Sequence, residues 1–184
     1  MAPDLTDVLS ATQFPGIDDG LQRLWTPHRM AYINAHQDSG TSEQPCPFCR
    51  VPEGSDADSL IVHRGLTCFV VLNLFPYNPG HLLVCPYRHV ADYTDLSQEE
   101  TYEVASLTGE AMRTLRRASS PAGFNLGINQ GAAAGAGVAD HFHQHVVPRW
   151  TGDANFFPII AQTKALPQLL SETRDLLAGR WGES

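Results

Sequence analysis

Three histidines in strict alternation, His141, His143 and His145, are the strongest chemical feature of this chain. If residues 141–150 form a strand, its side-chain period of two places all three imidazoles on one face. Phe142 and Val146 then point the other way, into a core. Such a face can bind a metal, grip an anion, or supply a nucleophile with a second imidazole beside it. A solvated polar strand face is the plainer alternative, but three imidazoles set between a glycine-rich loop and an apolar flank disfavour it. Imidazole is nucleophilic at neutral pH and can form an N–P bond, which divides a hard displacement at phosphorus into two easier steps. The preceding loop, Gln130-Gly131-Ala132-Ala133-Ala134-Gly135-Ala136-Gly137, carries no bulky side chain. Its backbone N–H groups can therefore approach phosphate oxygens closely.

Cys46-Pro47-Phe48-Cys49 is the second constellation. Its spacing suits a zinc knuckle, yet a tetrahedral structural site needs two further ligands. A redox role calls for a thioredoxin-like βαβ context, which the linker-like residues 37–45 do not supply. Two unpaired thiols are the third alternative. Cys68 and Cys85 lie in strongly apolar runs and read as buried free thiols. His28, His36 and His63 read as surface or edge residues, and Trp150 as either core packing or the wall of a base pocket.

These groups need elements to position them. Residues 1–20 read as a loosely ordered arm, and residues 21–36 show near-helical apolar spacing. Three short apolar segments, 60–62, 66–74 and 81–86, read as strands separated by Arg64-Gly65 and by the turn Pro76-Tyr77-Asn78-Pro79-Gly80. Ser97-Gln98-Glu99-Glu100 has the form of a capping box. The helix it starts places Val104, Leu107, Ala111 and Leu115 on one face and stops before Pro121. Residues 123–130 alternate Phe124, Leu126 and Ile128 against Asn125, Gly127 and Asn129, the pattern of a half-buried strand. A last helix is expected over about residues 167–178. The order of elements predicts an α+β domain with a mainly antiparallel sheet.

Composition removes several function classes. The 184 residues suffice for one domain with extensions, and the net charge of −8 with no basic run argues against bulk nucleic-acid binding. Lys164 is the single lysine, and no Gly-Lys-Ser/Thr precedes a helix, so P-loop chemistry is excluded. No apolar stretch has the length of a membrane span, and the acidic N-terminus does not resemble a signal peptide, so a cytoplasmic location is expected.

His141-Phe142-His143-Gln144-His145-Val146-Val147 resembles the histidine-triad (HIT) signature of nucleotide hydrolases and transferases, with Gln144 departing from the usual apolar residue at a position facing away from the site. Pro79-Gly80-His81-Leu82-Leu83-Val84-Cys85-Pro86 resembles the Pro-Gly-His strand of that family. Leu24-Trp25-Thr26-Pro27-His28-Arg29-Met30 resembles the N-terminal helix of bacterial members linked to diadenosine polyphosphates. The resemblance implies a HIT-like α+β fold, a five-stranded antiparallel sheet with a packed helix plus N-terminal and C-terminal helical extensions. Residues 1–45 would be the N-terminal arm and helix, 46–152 the HIT domain with its knuckle, and 153–184 the C-terminal helical tail.

Carried over position by position, the resemblance makes His143 the nucleophile, His145 the histidine that contacts phosphate, and His141 their support. His81 would stand behind the site, Asn73 would contact the ribose, and Gln130 the polyphosphate, with Gly135 and Gly137 in the phosphate loop. The knuckle would hold a structural Zn²⁺ through Cys46, Cys49, His89 and His141. Where phosphoramidases of the family carry a Ser or Thr hydroxyl in Gly-x-Ser/Thr-Val, this chain has Gly135-Ala136-Gly137-Val138. An amine leaving group needs a proton donor that a polyphosphate does not.

The expected activity is therefore hydrolysis or phosphorolysis of diadenosine tetraphosphate or triphosphate at the α-phosphate, through an adenylyl-histidine on Nε2 of His143. Mg²⁺ would accompany the polyphosphate. A phosphoramidase or general nucleotidyl hydrolase, and a non-catalytic nucleotide-binding module, are the alternatives. The resemblance further implies a homodimer with an adenine nucleotide or dinucleotide as ligand, and neither nucleic-acid nor membrane partners.

Overall fold

The computed structural model describes residues 46–153 and 167–183. Every described residue lies in one compact unit, within residues 36–184. The expected N-terminal arm, its helix and the linker fall outside the described residues.

Five strands, β1 (Ile61–Arg64), β2 (Cys68–Leu72), β3 (Leu82–Pro86), β4 (Gly123–Ile128) and β5 (Gln144–Arg149), form one antiparallel sheet in the order β1-β2-β3-β5-β4. Every residue of β2 and β3 is buried. That explains why both read as continuous apolar runs rather than alternations, because each has cover on its two faces. On one face the helix α2 (Gln98–Ser119) lies across β2, β3 and β5, and α3 (Leu170–Gly179) packs on β1 and α2. Val104, Leu107, Ala111 and Leu115 of α2 meet Val70, Leu72, Leu82, Val84, Phe142 and Val146 there. On the other face Ile61, Phe69, Val71, Leu83 and Cys85 are covered by Phe48, Val51 and Tyr87. Phe48 belongs to the single-turn helix α1 (Pro47–Arg50), which starts one residue after Cys46.

The start of α2 is set as expected. Ser97 Oγ accepts from the Glu100 N–H at 3.2 Å, and the Glu100 carboxylate accepts from the Ser97 N–H at 2.8 Å, so two otherwise orphaned donors are satisfied. No helix among the described residues is long and apolar enough to cross a membrane.

Three details differ from the expectation. Leu66 and Leu74, placed within a strand, are 93% and 62% exposed, because β2 closes at Leu72 and opens at Cys68. Leu126 is 48% exposed although its alternation pointed it inward. It lies on the edge strand, where a two-residue period does not guarantee a covering layer. His63 lies on the edge strand β1, as expected. Its ring stacks on Trp181 at 4.8 Å and 14°, just beyond α3, and burial lowers its pKa. The last helix begins at Leu170 rather than near Pro167.

Gly80 ends the turn that feeds β3. Its φ of +76° is the left-handed region, and a Cβ there would meet Leu115 Cδ2 at 2.9 Å. Both facts demand glycine directly before His81.

Candidate active site

β5 is shorter than the alternation suggested. Ladder pairing begins at Gln144, which pairs with Val84 of β3 and with Ile128, the last residue of β4. Residues 141–143 are held by other means, including a bond from the Phe142 N–H to the Val90 carbonyl at 2.6 Å. The alternation itself survives. Phe142 and Val146 enter the helix-side core, and Gln144 Nε2 donates to Thr108 Oγ1 of α2 at 2.8 Å. The three imidazoles take the opposite side and are nearly buried, at 1%, 5% and 8% exposure for His141, His143 and His145.

The partners of each ring assign its tautomer. A backbone carbonyl only accepts, so His143 carries its proton on Nδ1, which donates to the His141 carbonyl at 2.8 Å. Its Nε2 therefore holds a lone pair. A backbone N–H only donates, so His81 Nδ1 accepts from Tyr77 at 3.0 Å, and Asn73 Nδ2 lies 3.3 Å from the same atom. His81 then bears its proton on Nε2 and donates it to His145 Nδ1 at 2.9 Å. The neutral His145 consequently has its proton on Nε2, the nitrogen that faces Asn129 at 3.5 Å. A lone pair on His143 and a donor on His145 stand side by side, with ring centroids 5.1 Å apart.

Electrostatics keep both rings uncharged. Burial lowers the His143 pKa against the opposing bond to His141. Burial, then the neighbouring His143, pulls His145 down to about 4. At neutral pH each is imidazole, as a nucleophile and a neutral donor require.

His141 faces elsewhere. Its Nε2 donates to the Pro86 carbonyl at 3.0 Å, which leaves a lone pair on Nδ1. That atom lies 3.4 Å from Cys46 Sγ and 3.6 Å from Cys49 Sγ, and His89 Nδ1 lies 3.3 Å from Cys49 Sγ. The four ligand atoms of Cys46, Cys49, His89 and His141 all fall within 4.8 Å of one another. Ligands of a tetrahedral Zn²⁺ are separated by roughly 3.3–3.8 Å, given Zn–N and Zn–S lengths of about 2.0 and 2.3 Å. Burial, then the adjoining Cys46, pushes the Cys49 thiol up. A cation between them would reverse that pull, since the thiolate is the ligand. The residues present fit zinc.

The Gly/Ala-rich loop is one 3₁₀ turn, Ala132–Ala134, bracketed by Gly131 and Gly135 with φ of +79° and +82°. The amides of Ala134, Gly135 and Ala136 bond back to Gly131 and Ala132 within it. Gly137 follows without a positive φ. Gln130 is turned to its own neighbourhood, where Oε1 accepts from the Tyr93 N–H at 2.9 Å. Asn73 Oδ1 accepts from the Phe75 N–H at 3.0 Å. Trp150 stands on the helix side, with Nε1 donating to the Ser119 carbonyl at 3.1 Å. It lines an apolar cavity with Leu115, Ala118 and Leu177 instead of the imidazole site.

Sequence reasoning missed three neighbours of the imidazoles. Tyr77 stacks nearly parallel on His145, at 5.6 Å and 14°, and lies 4.7 Å from His81. Asn129 stood in the alternation of residues 123–130 without a role, yet its Nδ2 lies 3.5 Å from His145 Nε2. Phe48 contacts both His141 and His143, at 5.6 and 5.0 Å. Position inside the cysteine pair was its only signal.

A two-layer α+β domain with alternating imidazoles on one sheet face, backed by a Cys₂His₂ cluster, defines a histidine-triad protein. The HIT domain model matches residues 55–152, and the chain belongs to that family. It is 49% identical over 170 residues to the AP-4-A phosphorylase of Mycobacterium tuberculosis, covering 90% of this chain and 87% of that one. It is 40% identical over 88 residues to the bifunctional bis(5'-adenosyl)-triphosphatase/adenylylsulfatase of Arabidopsis thaliana, covering 46% and 47% of the two chains. Among solved structures, a Zn-bound histidine triad family protein from Mycobacterium smegmatis superposes with a TM-score of 0.60 at 30% identity, covering 73% of this chain and 91% of that one.

Proposed function

We propose that the chain cleaves dinucleoside polyphosphates, diadenosine tetraphosphate or triphosphate, at the α-phosphate. The observation that carries this reading is the pairing of a lone pair on His143 Nε2 with a proton on His145 Nε2. The likeness to an AP-4-A phosphorylase over nearly the full length of both chains supports the substrate class.

In the first step His143 Nε2 attacks the α-phosphorus, forming an N–P bond as the bond to the bridging oxygen breaks. The nucleoside polyphosphate leaves with that electron pair. His145 Nε2–H donates to a non-bridging oxygen and offsets its growing charge, and the His143 Nδ1–H stays on the His141 carbonyl. In the second step an oxygen of inorganic phosphate or water attacks the phosphorus, and the N–P electron pair returns to His143. Phosphate gives ADP; water gives AMP. Asn73 would bind the ribose and Gln130 the polyphosphate, with the Gly135–Gly137 amides reaching its oxygens once the turn opens. Mg²⁺ would arrive with the polyphosphate.

Cys46, Cys49, His89 and His141 would hold a structural Zn²⁺, and the Zn-bound relative supports that assignment. The domain limits we favour are 1–45, 46–152 and 153–184. A homodimer is the proposed assembly, because β4 is an edge strand whose outer backbone and half-exposed Leu126 suit pairing with a second copy. A cytoplasmic site of action is part of the same proposal, in keeping with a nucleotide substrate.

Product analysis with diadenosine tetraphosphate tests the reading. ATP plus ADP formed only with inorganic phosphate would define a phosphorylase, and ATP plus AMP without it a hydrolase. His143→Ala should abolish both reactions. Full turnover by that variant would sink the covalent mechanism.

A further inference from the structure

Phe48 sits between the two cysteines of the knuckle, and its ring lies against the proposed nucleophile. The centroid separations are 5.0 Å to His143, at 39°, and 5.6 Å to His141, at 62°. The His143 imidazole is fixed at Nδ1 by the His141 carbonyl. One hydrogen bond sets the direction of one atom; it leaves the ring free to tilt about that contact. A packed aromatic face removes the tilt.

The carbonyl has the same origin. His141 is locked by its Nε2 bond to Pro86, while its Nδ1 faces Cys46 and Cys49. The nucleophile is thus held by two routes, through the His141 main chain and through the Phe48 ring. Both start at the cysteine pair.

We propose that Phe48 is a positioning residue that couples metal binding in the knuckle to the orientation of His143. The inference rests on the nucleotide-binding reading of the His143 site. Closing the knuckle on its metal fixes α1, and α1 fixes the plane of the imidazole whose Nε2 must align with phosphorus. Misalignment of a nucleophile costs rate, because near-attack geometry is narrow. Binding linkage is reciprocal, so a ligand whose phosphate engages His143 tightens the knuckle on zinc by the same factor that zinc tightens the ligand.

The experiment is a zinc affinity measurement on the full chain by competition with a chromophoric chelator, with and without saturating AMP, whose binding is checked by calorimetry. In the wild type AMP should tighten zinc by about 5-fold or more, the lower end of common coupling strengths. Phe48→Leu keeps apolar volume without a flat ring. It should bind one zinc, lose most of the AMP effect, and lower kcat at full zinc occupancy while KM holds. Phe48→Tyr, which restores the ring, should recover both. AMP that binds without changing zinc affinity in the wild type would overturn the coupling. Wild-type kcat and AMP effect in Phe48→Leu would overturn the role of the ring. Absence of any AMP binding would overturn the nucleotide reading itself, and the inference with it.

Discussion

His81 Nε2 donates a hydrogen bond to His145 Nδ1 at 2.9 Å, and both rings are buried. The bond is directional because the Tyr77 N–H occupies the other nitrogen of His81. A main-chain amide in the turn before β3 thus decides, through two imidazoles, which nitrogen of His145 carries a proton. A hydrogen bond on one ring nitrogen of histidine commonly fixes what the other can do.

Substituting His81 should therefore act on His145 without touching substrate. His81→Phe keeps an aromatic ring in the turn but leaves Nδ1 of His145 without its donor. We expect kcat to fall about 10- to 100-fold, the usual cost of removing such an outer partner. Steady-state kinetics on diadenosine tetraphosphate checks this. An unchanged kcat would show that the tautomer of His145 does not depend on His81.

Much of this site was readable in the residues, and the limits have physical causes. A period of two assigned the imidazoles to one face even though the ladder reaches only Gln144, because extended backbone alternates with or without a partner strand. Capping chemistry is local, so Ser97 and Glu100 announced the start of α2. What side-chain patterns could not supply was contact between distant segments. Phe48 and His143 are brought together by the knuckle folding over the sheet, and Tyr77 reaches His145 through a turn whose composition signals only a turn. Leu126 failed for the opposite reason: its local pattern was sound, but no layer among the described residues covers it.

The depressed pKa of His145 makes stability depend on pH. In the folded chain this group titrates at about 4, whereas in the unfolded chain a histidine titrates near 6.5. Between those values the unfolded state binds the extra proton, so unfolding free energy falls as pH is lowered from about 6.5 towards 4. Denaturant midpoints should drop across that window, and His145→Asn should flatten the decline. A wild-type midpoint constant from pH 7 to 4.5 would contradict the burial of a neutral imidazole.

Removing a knuckle ligand should be a stability event first. Cys46→Ser would replace a sulfur donor by a poor zinc ligand and leave Cys49, His89 and His141 around an incomplete site. Metal content is expected to fall well below one zinc per chain, and thermal stability with it, since structural zinc contributes its binding free energy only to the folded state. Chelator treatment of the wild type should lower Tm in the same direction. Equal Tm values with and without chelator, in protein shown to have contained zinc, would remove the knuckle from the stability of the fold.

The chemistry of the leaving group gives the last prediction. Where related phosphoramidases carry a hydroxyl, this chain has Gly137, and its backbone does not use the left-handed region that would exclude a side chain. Gly137→Ser can therefore be accommodated without conformational strain at that residue. It would add a proton donor at the edge of the proposed phosphate loop, four residues before His141. A departing amine gains from such a donor, because it must be protonated as the P–N bond breaks, whereas a polyphosphate leaves as a stabilised anion. The variant should raise turnover of an adenosine phosphoramidate about tenfold or more relative to diadenosine tetraphosphate, a modest share of what general acids supply. Competition between the two substrates in one tube measures the ratio directly. An unmoved ratio would mean that substrate choice is set by Gln130 and the nucleotide contacts, and not by the missing hydroxyl.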